Sequence, residues 1–362
     1  LRGHLDARGE LLVAVGQQRG GARREGEAHV GGGIHFTGEL RERLSADDAA
    51  TLFNTTYLST LGWQFVITPL PNHLFTRDTS AWLYGGRSVH TMALAPRRRE
   101  AVNYEAVYRY HPAFAPRLAE LGGSTDPAAR LWREQGRVSA ASTIEGGDFQ
   151  ILGNRTLVMG LTHRSTAAGV ERLASQLFAA GVADRVIGVH MPDAAFYTQL
   201  EAVMHLDTLM TMVSPDTYLR FPGFTEVTTV EIEPGAAGRA LKVTVHDGSQ
   251  MDAVLARAAG IDSFRVINPG ASDEAEALRE LARDSCNVVA LAPGRVIGYA
   301  HNQRANDALR KAGIEVVETP GVELVRGRGG SHCMTCPVTR DAVGVRPVRA
   351  LRTAGRPPGP AW

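Results

Sequence analysis

A cysteine closes a glycine-rich run near the C-terminal end of the chain, Arg326-Gly327-Arg328-Gly329-Gly330-Ser331-His332-Cys333-Met334-Thr335-Cys336-Pro337. Glycines leave the backbone open to close approach, so a substrate can reach the thiol of Cys333. Cys333 and Cys336 also spell C-x-x-C, a spacing shared by zinc sites and redox pairs. Structural zinc normally takes four ligands, and no second C-x-x-C or paired-histidine motif is present. A thiol-disulfide pair normally sits in a thioredoxin-like βαβ context, which a glycine run does not resemble. The zinc and redox readings are therefore weak, and Cys336 reads as a packed neighbour. Cys286, the remaining cysteine, opens an apolar strand and reads as core.

Three further motifs carry polar groups suited to catalysis. In His205-Leu206-Asp207-Thr208, an extended backbone would send the imidazole and the carboxylate to the same side. That pairing suits a general base beside a charged substrate group, although a structural histidine bonded to its neighbour is the plainer reading. A metal site would want more ligands at suitable spacing, and none lies nearby in sequence. Glu145-Gly146-Gly147-Asp148 sets two acids around a backbone that can be approached closely, a pattern shared with ordinary glycine turns. Pro71-Asn72-His73-Leu74-Phe75-Thr76-Arg77-Asp78 is turn-rich and leads into a strand. Its Arg77-Asp78 pair reads equally well as a surface salt bridge or a turn cap.

The elements that must hold these groups repeat. Hydrophobic period gives one order several times: strand, tight turn, strand, helix, strand. One copy runs through strands at Phe149–Leu152 and Thr156–Met159, a helix at Ser165–Ala180 and a strand at Val186–His190. A second runs through Asn287–Ala292, Val296–Tyr299, the helix Asn302–Ala312 and Glu315–Val317. A third comprises Ser80–Tyr84, a turn at Gly85-Gly86, Arg87–Met92 and a helix after Arg97. A fourth opens with strands at Leu206–Val213 and Thr217–Phe221. Ahead of them, Ser45–Leu61 reads as a helix and Gln64–Thr68 as a strand. No such unit buries its own core, so neighbours must pack side by side or around an axis. Because each polar motif precedes or starts a unit's first strand, a ring would gather them at one mouth. An open α/β sheet is the alternative.

Composition narrows the class. The 362 residues are 44% hydrophobic and 21% charged, and 39 Lys+Arg against 38 Asp+Glu leave +1. That balance excludes disorder throughout and gives no broad electrostatic footprint for nucleic acid. No apolar run approaches the ~18–20 residues of a membrane span. Leu1–Glu10, with Arg2, Asp6 and Arg8, does not resemble a signal peptide, and three cysteines cannot form a disulfide framework, so a reducing cytoplasm is expected. Gly20–Gly33 and Ala342–Trp362 are expected to be loose, having too little apolar surface to offset chain entropy.

Together, in this order and spacing, the four motifs resemble the arginine deiminase family, within the guanidine-modifying superfamily. The resemblance runs from about His29 to about Asp341. It implies a five-fold α/β propeller of strand-strand-helix-strand repeats, with part of a helical insertion and an incomplete first repeat. The domains expected are a poorly matching segment at 1–28, a remnant of the helical insertion at 29–62, the catalytic propeller at 63–341 and a disordered tail at 342–362. Family members usually start with a further N-terminal part, holding the opening strands of the first repeat and a substrate-covering loop; the chain is expected to lack it.

The resemblance further implies that Cys333 is the nucleophile and His205 the general acid and base. Asp78 and Asp207 would grip the substrate guanidinium, with Glu145 supporting that grip. Asn72, Phe75, Arg97, Arg164 and Arg328 match positions that hold the amino-acid end and stem of the substrate. The implied reaction is hydrolysis of free L-arginine to citrulline and ammonia, with no metal or organic cofactor, no nucleic-acid or membrane partner, and a homo-oligomeric assembly. Alternatives are an amidinotransferase or a dimethylarginine hydrolase of the same superfamily, or a non-catalytic arginine-binding protein.

Overall fold

The computed structural model describes backbone and side chains at 70, 72–84, 86–114, 142–191, 203–236, 241–270 and 275–342, and backbone alone at 4–5, 11–12, 27–30, 34–37, 131–133 and 274. The chain divides into two units, Leu1–His73 and Leu74–Trp362. The first holds two antiparallel ladders, β1 (His4–Leu5) with β2 (Leu11–Leu12) and β3 (Glu27–Val30) with β4 (Ile34–Thr37). The second ladder corrects the expectation that Gly20–Gly33 is wholly loose. Alternating apolar residues on either side of Gly31-Gly32-Gly33 supply the strand pattern. The helix expected over 45–61, the strand expected over 64–68 and the tail from 343 lie outside the described residues.

The second unit repeats one topology. A single helical turn, α1 (Thr76–Thr79), leads into β5 (Ser80–Leu83), which pairs antiparallel with β6 (Gly86–Val89). Helix α2 (Arg98–Tyr110) then crosses to β7 (Leu131–Arg133), parallel to β6. The next copy consists of β8 (Phe149–Gly153), β9 (Thr156–Leu161), α3 (Ala167–Ala179) and β10 (Arg185–His190), again antiparallel and then parallel. After the turn α4 (Leu206–Leu209) come β11 (Met210–Ser214) and β12 (Thr217–Arg220).

There the order is interrupted by a hairpin, β13 (Thr229–Glu233) and β14 (Lys242–His246). It does not join β12 but extends the preceding sheet across β10, giving the order β14-β13-β10-β9-β8. Helix α5 (Met251–Ala259) and β15 (Arg265–Ile267) then complete the interrupted copy, with β15 parallel to β12. After α6 (Glu274–Leu281), the last copy runs β16 (Val289–Ala292), β17 (Arg295–Tyr299), α7 (Gln303–Lys311) and β18 (Glu315–Thr319). The architecture is α/β with several small sheets, and among the described residues the repeat expected from periodicity is seen four times.

Helix α3 illustrates why these segments fold as they do. Thr166 caps it by accepting the Gly169 N–H at 3.3 Å, and the chain leaves through Gly181 at φ 64°. Val170, Leu173, Ala174 and Leu177 form its buried stripe, against Leu157, Met159 and Val186 of the sheet. No described helix is long and apolar enough to cross a membrane.

One local expectation is overturned. His205 and Asp207 do not lie on a strand that begins at Leu206; the strand starts at Met210, and α4 carries Asp207. Thr208 closes that turn, its hydroxyl donating to the His205 carbonyl at 2.7 Å. All four residues of the turn are buried, so its apolar content imitates a fully buried strand.

Candidate active site

The polar residues of interest stand on the single turns that precede the first strands. Asp78 lies on α1, Glu145 caps the turn Gly146–Asp148 ahead of β8, and His205 caps α4. Ligand-type atoms of Asp78, Glu145 and His205 come within 4.8 Å of one another, and all three residues are buried. The Nε2 of His205 is 2.9 Å from Oε2 of Glu145, and its Nδ1 is 3.8 Å from Oδ1 of Asp78. Burial works against the charged imidazole. Asp78, Glu145 and Asp148 outweigh it and hold the His205 pKa up at about 9, so the ring is an imidazolium at neutral pH.

The glycines of the Glu145 turn allow this crowding. A Cβ on Gly146 would collide with the Arg77 carbonyl, and one on Gly147 would lie 2.7 Å from the His205 ring. Asp148 braces the histidine from the other side. Its Oδ1 accepts the Leu206 N–H at 2.9 Å and its Oδ2 accepts from the Thr162 hydroxyl at 3.0 Å. Burial raises the Asp148 pKa to about 7.

Cys333 and Asp207 form the other half. The Sγ of Cys333 lies 3.8 Å from Oδ2 of Asp207, which also receives Nδ1 of His332 at 2.8 Å. Burial raises the Cys333 pKa well above its usual range, and Asp207, Asp78 and Asp284 add to that. The thiol is therefore protonated while the site holds no cation. For Asp207, burial opposes ionisation, but His332, His205 and Arg77 hold its pKa below the usual carboxylate range. One oxygen on each of these two acids, Oδ1 of Asp78 and Oδ1 of Asp207, is buried with no hydrogen-bond partner.

Two of the residues expected at the amino-acid end of the substrate pair with these acids. Arg97 Nη1 meets Asp78 Oδ2 at 2.6 Å while its Nη2 meets Glu100 at 2.9 Å, and Arg164 Nη1 meets Glu145 Oε2 at 3.2 Å. Phe75 is buried against the glycines of the loop that carries Cys333: a Cβ on Gly327 would stand 3.1 Å from its ring, and one on Gly329 would overlap it. Arg328, between those glycines, has a left-handed backbone at φ 66°. Asn72 belongs to the first unit.

Sequence reasoning missed several contributors. Arg77, read as a salt bridge or turn cap, fastens the loop that carries Cys333 instead. Its N–H donates to the Cys333 carbonyl at 3.0 Å, and its guanidinium to the His332 carbonyl and the Thr335 hydroxyl. His332 and Asp148 were legible only as neighbours within motifs, and Asn287 gave no signal beyond opening a strand.

Asp78, Glu145 and His205 have the donor types and spacing to hold a metal ion. Arg97 and Arg164 already neutralise both carboxylates, so a divalent ion would meet two guanidinium groups at close range.

The model of the arginine deiminase family matches residues 40–340, most of the chain. The chain belongs to the arginine deiminase family. Every residue named above from Asn72 to His332 and Cys333 falls within the matched span. Membership places the chain among the guanidine-modifying hydrolases.

Among solved structures, the chain is similar to the unliganded arginine dihydrolase ArgZ, from the ornithine-ammonia cycle of cyanobacteria. The identity is 18% over 82% of this chain and 38% of that one, with a TM-score of 0.50. It is also similar to the substrate-bound N-terminal domain of ArgZ, at 18% identity over 82% of this chain and 89% of that one, TM-score 0.49. A dimethylarginine dimethylaminohydrolase from Pseudomonas aeruginosa in complex with citrulline matches at 19% identity over 80% and 88% of the two chains, TM-score 0.46. The first of these likenesses agrees with the repeat topology of the arginine deiminase fold.

Proposed function

We propose that this chain hydrolyses the guanidinium group of free L-arginine to L-citrulline and ammonia, in the cytoplasm, with Cys333 as nucleophile. The reading rests on one observation above all. Two buried carboxylates, Asp78 and Asp207, each keep an oxygen with no hydrogen-bond partner in a site whose thiol lies 3.8 Å from Asp207. Buried acceptors without donors are costly, and a planar cation bearing several N–H groups satisfies both. A guanidinium stays protonated near neutral pH, so the site must balance charge as well as donate acceptors.

The sequence of steps follows from the charges. The incoming cation reverses the electrostatics that keep Cys333 protonated, and the thiol loses its proton to solvent. The thiolate adds to the central guanidinium carbon, forming the S–C bond and a neutral tetrahedral adduct. The His205 imidazolium gives its proton to one nitrogen, the C–N bond breaks, and ammonia leaves. An amidino-thioether cation remains on Cys333. Neutral His205 takes a proton from water, the hydroxide adds to the same carbon, and the C–S bond breaks to regenerate the thiolate. Loss of one proton from the protonated urea gives citrulline, so arginine cation and water become citrulline and ammonium. Side chains supply every step, without a metal or organic cofactor. By the family resemblance, Phe75, Arg97, Arg164 and Arg328 are assigned to the stem and amino-acid end; Arg97 and Arg164, paired here with Asp78 and Glu145, would turn toward a free α-carboxylate to select it over a peptide.

Incubation of the purified chain with L-arginine tests this reading, with citrulline and ammonia measured together. Equal amounts of both are expected. Amidino transfer to an added amine, dimethylamine release from dimethylated arginine in preference to arginine turnover, or binding of labelled arginine without ammonia would each overturn it.

A further inference from the structure

Three of the four repeats bring a side chain to the site from the turn just before their first strand: Asp78 before β5, Glu145 and Asp148 before β8, and Asp207 before β11. The fourth repeat begins at β16, and the residue standing two positions ahead of it, as Asp78 stands ahead of β5, is Asn287. Asn287 is 1% exposed. Its Oδ1 accepts the backbone N–H of Cys333 at 3.1 Å, and its Nδ2 donates to the backbone carbonyl of Asp207 at 3.2 Å. Its own carbonyl accepts the His332 N–H at 3.3 Å and the Ser331 hydroxyl at 3.2 Å. A Cβ on Gly330 would overlap the Asn287 side chain, so the glycine of the nucleophile loop is what admits the amide.

We propose that Asn287 is a positioning residue of the hydrolase, a clasp that fixes the Cys333 nucleophile against the guanidinium-gripping Asp207. The inference rests on the arginine hydrolase reading and deepens it. A single planar amide bonds both partners, so the distance from thiol to carboxylate is set by one rigid group rather than by two independent loops. The geometry also bears on substrate class. Enzymes that attack a neutral acyl carbon use preorganised N–H donors, often the nucleophile's own, to stabilise an oxyanion. Here the N–H of Cys333 is committed to Asn287. Thiolate addition to a guanidinium creates no oxyanion, so nothing is lost by that commitment.

The test uses the full chain carrying Asn287→Ala or the isosteric Asn287→Asp. Three readouts are compared with wild type: steady-state citrulline formation, and the rates at which Cys333 is alkylated by neutral iodoacetamide and by cationic chloroacetamidine. Asn287→Ala is expected to lower kcat/KM by about 100-fold, mostly in kcat, the cost of a nucleophile displaced by about an ångström. Chloroacetamidine alkylation should fall in parallel while iodoacetamide alkylation stays within about threefold, because only the cation needs thiol and carboxylate aligned. Asn287→Asp keeps the acceptor for the Cys333 N–H, loses the donor to Asp207 and adds a negative charge. It should retain more activity, with the acidic limb of kcat/KM moved to higher pH because thiolate formation is harder.

Wild-type turnover with both variants within about threefold of it would overturn the clasp. So would losses that merely track the folded fraction by circular dichroism, with an unchanged ratio of the two alkylation rates; that ratio in Asn287→Asp decides the matter if the alanine variant does not fold. Absence of citrulline from wild type itself would instead sink the arginine reading on which the clasp depends.

Discussion

Cys333 and Cys336 are three residues apart in different surroundings, Cys333 buried beside Asp207 and Cys336 half-buried. Cys336 packs between the Ser80 carbonyl, at 3.4 Å, and the Tyr108 hydroxyl, at 3.8 Å. Cys333→Ser is expected to abolish citrulline formation with the fold intact by circular dichroism, since a hydroxyl is far too weak an acid to replace the thiolate. Cys336→Ser should keep most of the activity, and equal loss in both variants would restore the C-x-x-C reading. Asp78→Ala and Asp207→Ala each leave the guanidinium half paired in a desolvated site. Steady-state kinetics on L-arginine should show kcat/KM reduced by about 2–5 kcal/mol in transition-state terms. Unchanged kinetics in Asp207→Ala would make the His205-Leu206-Asp207 motif structural.

The single turns ahead of the strands set how closely those side chains approach. Gly147→Ala places a methyl 2.7 Å from the His205 ring and must push the imidazole off Glu145. The expected result is a loss of about 100-fold in kcat, checked by the same citrulline assay, with a smaller effect on KM. Retention of full activity would show that the turn can yield without moving His205. Helix α3 offers a contrast, because its capping hydroxyl serves the backbone, accepting the Gly169 and Thr143 N–H groups. Thr166→Ala removes the acceptor for the Gly169 N–H and should cost about 1 kcal/mol in chemical denaturation, leaving kcat unchanged.

Above about pH 6.5 the stability of the chain should fall as pH rises, and the site itself supplies the reason. Below that, buried His90, held down at about 4, and His332, also lowered by burial, act in the opposite sense. His205 holds its proton to about pH 9 in the folded state against 6.5 unfolded. Its contribution is complete below pH 6.5 and is lost as pH climbs through about 9. Asp148, about 7 folded against 3.8 unfolded, has the same sign over a lower window. Denaturant melts at pH 6.5, 8 and 9.5 should therefore show a progressive decline, and His205→Gln should flatten it. A curve that is level or rising between pH 6.5 and 9 would contradict the charge balance described around His205.

Much of this was legible in the amino-acid sequence, because local period and local chemistry are written there directly. The short apolar run at Thr156–Met159, bounded by a turn at Gly153-Asn154, and the helical stripe Val170, Leu173, Leu177 mark strand and helix, and the repeat of that order predicted the α/β units. The four motifs carried the family. Period failed at Leu206–Leu209, where a wholly buried turn looks like a strand, and it overlooked the hairpin β13–β14, whose strands alternate normally but join the preceding sheet. Partnership between distant residues was decided only by the tertiary structure. Nothing local in Arg77 tells that it fastens a loop 255 positions away, nor in Asn287 that its amide spans Cys333 and Asp207. Hydrophobic burial is non-directional and fixes which faces turn inward. Hydrogen bonds and ion pairs are directional, short and exacting, so which donors meet which acceptors emerges only after the repeats have packed.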